Sequence, residues 1–115
     1  MTVLAFSLPV PPSTNNLYVN ARGKRVKSKQ YADWITDAGW AAKTAVAGKE
    51  RCKAPYLITY EVPTDKRRDL DNYLKAANDL LVRVGIIPDD SLIDSLSISR
   101  ADRSDMGVII AGRAA

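Results

Sequence analysis

The stretch Arg67-Arg68-Asp69-Leu70-Asp71-Asn72-Tyr73-Leu74-Lys75, followed later by Pro88-Asp89-Asp90, holds the residues best suited to chemistry. It sets carboxylates and a lysine beside arginines in a chain with no histidine. Without imidazole there is no His-based triad, no His proton shuttle and no His-rich zinc site. Chemistry here must run on carboxylates, lysine and a bound hard metal. Oxygen-only ligands favour Mg²⁺, with Mn²⁺ as a substitute.

Two aspartates at the start of an element can share a metal, and a third from a separate loop completes the oxygen-rich shell that Mg²⁺ prefers. On that reading Asp69, Asp71 and Asp90 converge near a phosphate. The metal activates a water, and Lys75 stabilises charge on the scissile phosphate or fixes the attacking water. Each residue also has a plainer use. Asp69 and Asp71 suit the positive end of a helix, and capping aspartates outnumber metal ligands. Asp71, Lys75 and Asp79 form an i, i+4 ion-pair ladder, while Asp89 and Asp90 suit a turn. Taken together, carboxylates flanked by cations point to a metal-dependent phosphodiesterase acting on a polyanion.

The elements that must position these residues are legible as periodicities. Val3–Leu8 is apolar and stopped by Pro9, Pro11 and Pro12, which predicts a strand. Tyr18–Lys27 around Ala21-Arg22-Gly23-Lys24 predicts a basic hairpin. Helical spacing over Lys29–Ala47, with Ser28 as N-cap and Gly48 as stop, predicts a first helix. Tyr56–Val62 alternates as a strand that runs directly into the basic motif.

Leu70, Tyr73, Leu74, Ala77, Leu80, Leu81 and Val84 then form an apolar stripe, with Asp71, Asn72, Lys75, Asn78, Asp79 and Val82 opposite. This predicts a second helix with Asp69 as N-cap and Gly85 as its terminating glycine. Strands near Leu92–Arg100 and Gly107–Ala111, with Ala101–Met106 as the turn, complete the order β-α-β-α-β-β. The fold class is α+β: one small domain over residues 1–115.

The chain has 115 residues, 46% of them hydrophobic, which suffices for one core and not two. The lone Cys52 forms no internal disulfide, and the expected home is a reducing cytoplasm. No apolar run approaches bilayer length, and Val3–Leu8 leads into prolines instead of a cleavage site, so neither membrane insertion nor export is expected. The net charge of +4 is modest, but its placement is not. Arg22, Lys24, Arg25 and Lys27 crowd one segment, and Arg67 and Arg68 abut Asp69; these six are the expected phosphate contacts.

Pro11-Pro12-Ser13 with Asn15, Arg68-Asp69-Leu70-Asp71-Asn72, Lys75, Asp79, Gly85 and Asp89-Asp90 closely resemble the RusA family of Holliday junction resolvases, in order and over essentially the whole chain. The resemblance implies a homodimeric, Mg²⁺-dependent endonuclease that cuts four-way DNA junctions by paired nicks and is often encoded by prophages. It implies a mixed four-stranded sheet with two helices. The family's metal-binding carboxylates match Asp69, Asp71 and Asp90, its essential lysine matches Lys75, and Asp89 matches the other member of the acidic pair. One departure is Ser91-Leu92-Ile93, where the family often carries glutamine. Two alternatives stand beside this reading: a non-catalytic nucleic-acid-binding module, and a nuclease acting on other branched phage DNA such as flaps and forks.

Overall fold

Alternating burial along four strands organises the molecule, in a computed structural model that describes residues 1–114. Strand β1 is Thr2–Leu8, β4 is Cys52–Pro63, β5 is Ile93–Ala101 and β6 is Met106–Ala114. They form one sheet in the order β1-β6-β4-β5. Only β4 and β5 run parallel; β6 is antiparallel to both β1 and β4. Strands β2 (Tyr18–Ala21) and β3 (Lys24–Lys27) form a separate hairpin, and helices α1 (Lys29–Val46) and α2 (Leu74–Arg83) complete the set. The expected α+β class and mixed four-stranded sheet are present.

Sequence-consecutive β5 and β6 are not neighbours, because the chain passes the end of β4 to enter the sheet's interior. Composition explains the choice. Strand β6 is apolar with buried Met106, Val108 and Ile110, as a central strand should be, whereas Ser95, Ser97 and Ser99 give β5 the polarity of an edge.

One face of the sheet carries the core. Leu4, Val108 and Tyr60 lie on it, and Tyr31, Trp34 and Ala38 of α1 and Ala77, Leu80 and Leu81 of α2 bury against the same cluster. Helix α1 starts as its sequence predicts, with the Ser28 hydroxyl accepting from Tyr31 N at 3.1 Å. Trp34 Nε1 donates to Pro9 O at 2.8 Å, fastening the proline segment to the helix.

Helix α2 departs from its expected start. Leu70–Tyr73 forms a tight 3₁₀ turn, and the α-helix begins only at Leu74. The tighter winding rotates the buried stripe, so Ala76 joins Tyr73, Ala77, Leu80 and Leu81 inside, while Leu74 is only partly covered. Asn78, expected on the polar face, instead accepts a 2.7 Å hydrogen bond from Tyr60 Oη. That bond satisfies a buried phenol whose pKa burial drives upward, and it ties α2 to β4.

Candidate active site

The segment joining β4 to α2 is built first by local turns and then by remote braces. Asp65 accepts from Arg67 N at 3.1 Å and from Arg67 Nε at 3.2 Å, which closes the turn after β4 and holds the Asp65 carboxyl below the usual carboxylate range. Arg68 has a different job from the phosphate contact expected of it. Its guanidinium lies 3.8 Å from the Tyr73 ring centroid and donates to Asn72 Oδ1 and Pro12 O, each at 3.0 Å.

Asn72 in turn grips the N-terminal loop, accepting from Thr14 N and from Thr14 Oγ1, both at 3.1 Å. From the far side, Arg100 Nη2 on β5 donates to Arg68 O at 3.0 Å. The remote braces to Pro12, Thr14 and Arg100 were not foreseen, because the paired residues lie 32 to 58 positions apart and no local pattern links them.

Asp69 and Asp71 project from this pinned backbone. Asp69 has the extended conformation of a capping residue, yet its side chain makes no cap. Both carboxylates are exposed, and neither has a hydrogen-bond or ion-pair partner among the described residues. Two anions held on a braced backbone without local neutralisation are suited to a cation. Lys75 sits in the first turn of α2, where its ammonium lies 3.5 Å from Asp79, not paired with Asp71. Two-sided exposure makes that contact worth only about 0.3–0.5 kcal/mol, so the lysine is easily redirected.

Asp90 does not join them. It opens a short 3₁₀ turn capped by Asp89, which accepts from Ser91 N at 3.0 Å and is held below the usual carboxylate range chiefly by that N–H. Strand β5 then begins at Ile93 beside Tyr56, whereas Asp69 follows Arg68, which Arg100 holds near the other end of β5. From residue 93 to residue 100 is about 23 Å of strand. No three acidic or thiol side chains stand close enough to share a metal among the described residues.

The expected convergence of Asp69, Asp71 and Asp90 within one chain is therefore corrected, and the parallel crossover is the cause. A helix joining parallel strands leaves from the exit of the first and returns to the entry of the second, so its two flanks lie at opposite ends of the strands.

Asp90 instead lines an open cleft of about 510 Å³ with Asp79, Asp89, Arg83, Lys27 and Tyr31. Tyr31 there has its pKa pushed up to about 12, first by burial and then by the negative charge of Asp79. The basic hairpin stands at this cleft. Its Arg22-Gly23 turn has φ of 52° and 76°, the left-handed pair that a two-residue hairpin loop requires. Arg22, Lys24, Arg25 and Lys27 are exposed, with the Arg25 guanidinium 4.4 Å from the Tyr18 ring. Arg67 is also outward, its side chain 93% exposed.

Comparison with known proteins covers most of the chain. The sequence model of the family described as Endodeoxyribonuclease RusA matches residues 9–111. The chain belongs to the RusA family. Among its relatives, the Crossover junction endodeoxyribonuclease RusA of Aquifex aeolicus is 31% identical over 106 residues, covering 90% of this chain and 82% of that protein. The phage HK97 protein of that name is 32% identical, covering 87% and 84%. The Escherichia coli K12 protein is 33% identical, covering 81% and 78%. This RusA-family chain thus carries Asp69 and Asp71 on a segment held by the N-terminal loop, by β5 and by its own turns.

Proposed function

We propose that the chain is a structure-selective endodeoxyribonuclease that resolves four-way DNA junctions by paired nicking in recombination and repair, acting in the cytoplasm as a homodimer. The observation that carries this is the pair Asp69 and Asp71, unpartnered and exposed on a backbone fixed by Arg68, Asn72, Thr14 and Arg100, in a member of the RusA family. Relatives bearing the name Crossover junction endodeoxyribonuclease from a bacterium and a phage support DNA as the substrate.

Mg²⁺ is the proposed cofactor, with Mn²⁺ as substitute. Asp69 and Asp71 are the residues that would hold it, in keeping with the habit of Mg²⁺ of taking one or two carboxylates and completing its shell with water and substrate phosphate. When bound, it would polarise the phosphate and activate water. Lys75, loosely held by Asp79, is proposed to turn toward the scissile phosphate as negative charge develops. Asp90 is proposed as a further acidic residue of the reaction, acting from its own place at the cleft. Arg22, Lys24, Arg25, Lys27 and Arg67 hold the flanking backbone.

The test compares nicking of a four-way junction, fork, flap and linear duplex at matched concentration across Mg²⁺ and Mn²⁺ titrations. Metal-dependent nicking strongest on the junction is the expected result. Strongest cleavage of fork or flap moves the substrate to other branched DNA. Tight junction binding without nicking under either metal leaves a binding module only.

A further inference from the structure

Along β5 the inward positions are Leu96, Ile98 and Arg100. The first two pack against the core, and the strand's alternation puts an arginine at the next, in register with buried Val62 of β4. Arg100 is half-buried there. Its Nε is buried without a hydrogen-bond partner, and its guanidinium joins no ion pair among the described residues. An apolar side chain would pack at this position without that cost, since an unpaired buried donor weakens a fold. A residue that breaks the local rule in this way is expected where function requires it.

What the guanidinium holds is the carbonyl of Arg68, to which Nη2 donates at 3.0 Å. That carbonyl belongs to the peptide leading into Asp69. The peptide leaving Asp69 is held as well, since Asp69 O accepts from Asn72 N at 3.1 Å. The two bonds fix the backbone on either side of the Asp69 Cα, whose side chain makes no cap of its own. Neutral partners occupy both arginines here. Arg68 is taken by the Tyr73 ring, Asn72 and Pro12, and Arg100 by a carbonyl, so two half-buried cations adjoin the acidic segment without pairing with Asp69 or Asp71.

We propose that Arg100 is a positioning residue for the metal-binding carboxylates, holding the peptide ahead of Asp69 so that Asp69 and Asp71 stand ready for one divalent cation. The inference rests on the metal-dependent reading above. Its physics has a sign. A guanidinium acting only through its charge repels a cation, so its removal would tighten metal binding. One acting through its hydrogen bond lets the Asp69 backbone loosen when it is removed, and metal binding weakens; loss of such an outer partner typically costs about 10–100-fold in metal affinity.

The test measures Mn²⁺ affinity of the full chain without DNA, from the electron paramagnetic resonance signal of the free ion, together with urea unfolding. It uses wild type, Asp71→Asn, Arg100→Met, Arg100→Lys and Arg113→Ala. Arg113 is the matched control, an arginine at the other end of β4 whose Nε donates to Ala54 O at 2.8 Å. Arg100→Met should bind Mn²⁺ at least about tenfold more weakly while unfolding at no lower urea concentration than wild type, a split that a merely structural arginine would not give. Arg100→Lys should recover part of the affinity, and Arg113→Ala should bind as wild type does. Unchanged or tighter binding by Arg100→Met overturns the proposal. Should that variant fail to fold, Arg100→Gln, which also loses the charge, poses the question with the same sign. Asp71→Asn keeps the two readings apart. If it binds Mn²⁺ as well as wild type, the metal site falls and the inference with it; if it loses binding that Arg100→Met keeps, only the inference falls.

Discussion

Asp71 and Lys75 lie four residues apart, yet the lysine leans toward Asp79, leaving the Asp71 carboxylate unneutralised. Asp71→Asn should therefore abolish metal-dependent cleavage while leaving junction affinity within about twofold, because an amide is a poor ligand for a hard cation yet leaves every cation in place. Affinity by fluorescence anisotropy and nicking by gel, on the same samples, check this. Lys75→Ala should lower the single-turnover rate at saturating enzyme by about 10²-fold or more with little change in binding, as for an interaction made mainly in the transition state. A wild-type rate would leave Lys75 as half of a surface ion pair.

Arg68 predicts the opposite pattern. Arg68→Ala removes a cation–π contact and the hydrogen bonds to Pro12 and Asn72, so urea unfolding should show a loss of about 2–4 kcal/mol. Arg68→Lys should recover only part of it, since an ammonium lacks the planar fork.

Among the elements, the β2–β3 hairpin presents Lys24, Arg25 and Lys27 of β3 to solvent, whereas α1 contributes Tyr31 to the cleft. Neutralising Arg25 or Lys24 should weaken DNA binding and reduce the slope of log affinity against log salt by about one per lost phosphate contact. The cleavage rate of bound DNA should hold. Tyr31 supplies an alkaline signature. Its folded pKa of about 12 exceeds the ordinary phenol value, so the folded state holds the proton more tightly than the unfolded chain. Stability from this source is complete below about pH 10 and falls as pH rises from there toward 12. Tyr31→Phe should lessen the slope of that limb, to which buried Tyr60 and Tyr56 also contribute, as followed by unfolding midpoints alongside phenolate absorbance.

For the whole molecule, the proposed paired nicking makes coordinated cutting depend on two copies acting together. A junction extruded from a supercoiled plasmid should give linear product at high protein concentration and nicked circles at dilutions where sedimentation finds a monomer, because a monomer cuts once per encounter. Linear product at an unchanged ratio throughout the dilution series would show that pairing of the cuts does not need a dimer.

Sequence by itself determined the parts whose causes are local. Period-two burial marked β4, helical spacing and the Ser28 cap marked α1, and the left-handed demand of Arg22-Gly23 marked the hairpin. The acidic motif with its lysine was equally legible, because residue type and spacing of a few positions are its whole content. The 3₁₀ start of α2 was less so, since a seven-residue stripe looks alike whether the first turn is wound at 3.0 or 3.6 residues.

Only the tertiary structure decided the rest. The parallel pairing of β4 with β5 set Asp90 at the opposite end of the strands from Asp69, and long-range pairing placed β6 between β1 and β4. The turn of Arg68 inward onto Tyr73, Pro12 and Asn72 likewise depends on the loop carrying Pro12, 56 positions away. Periodicity reports which side of an element is buried and is silent on which element lies beside it. Neighbours are fixed by long-range packing, and it is neighbours that determine which charges meet.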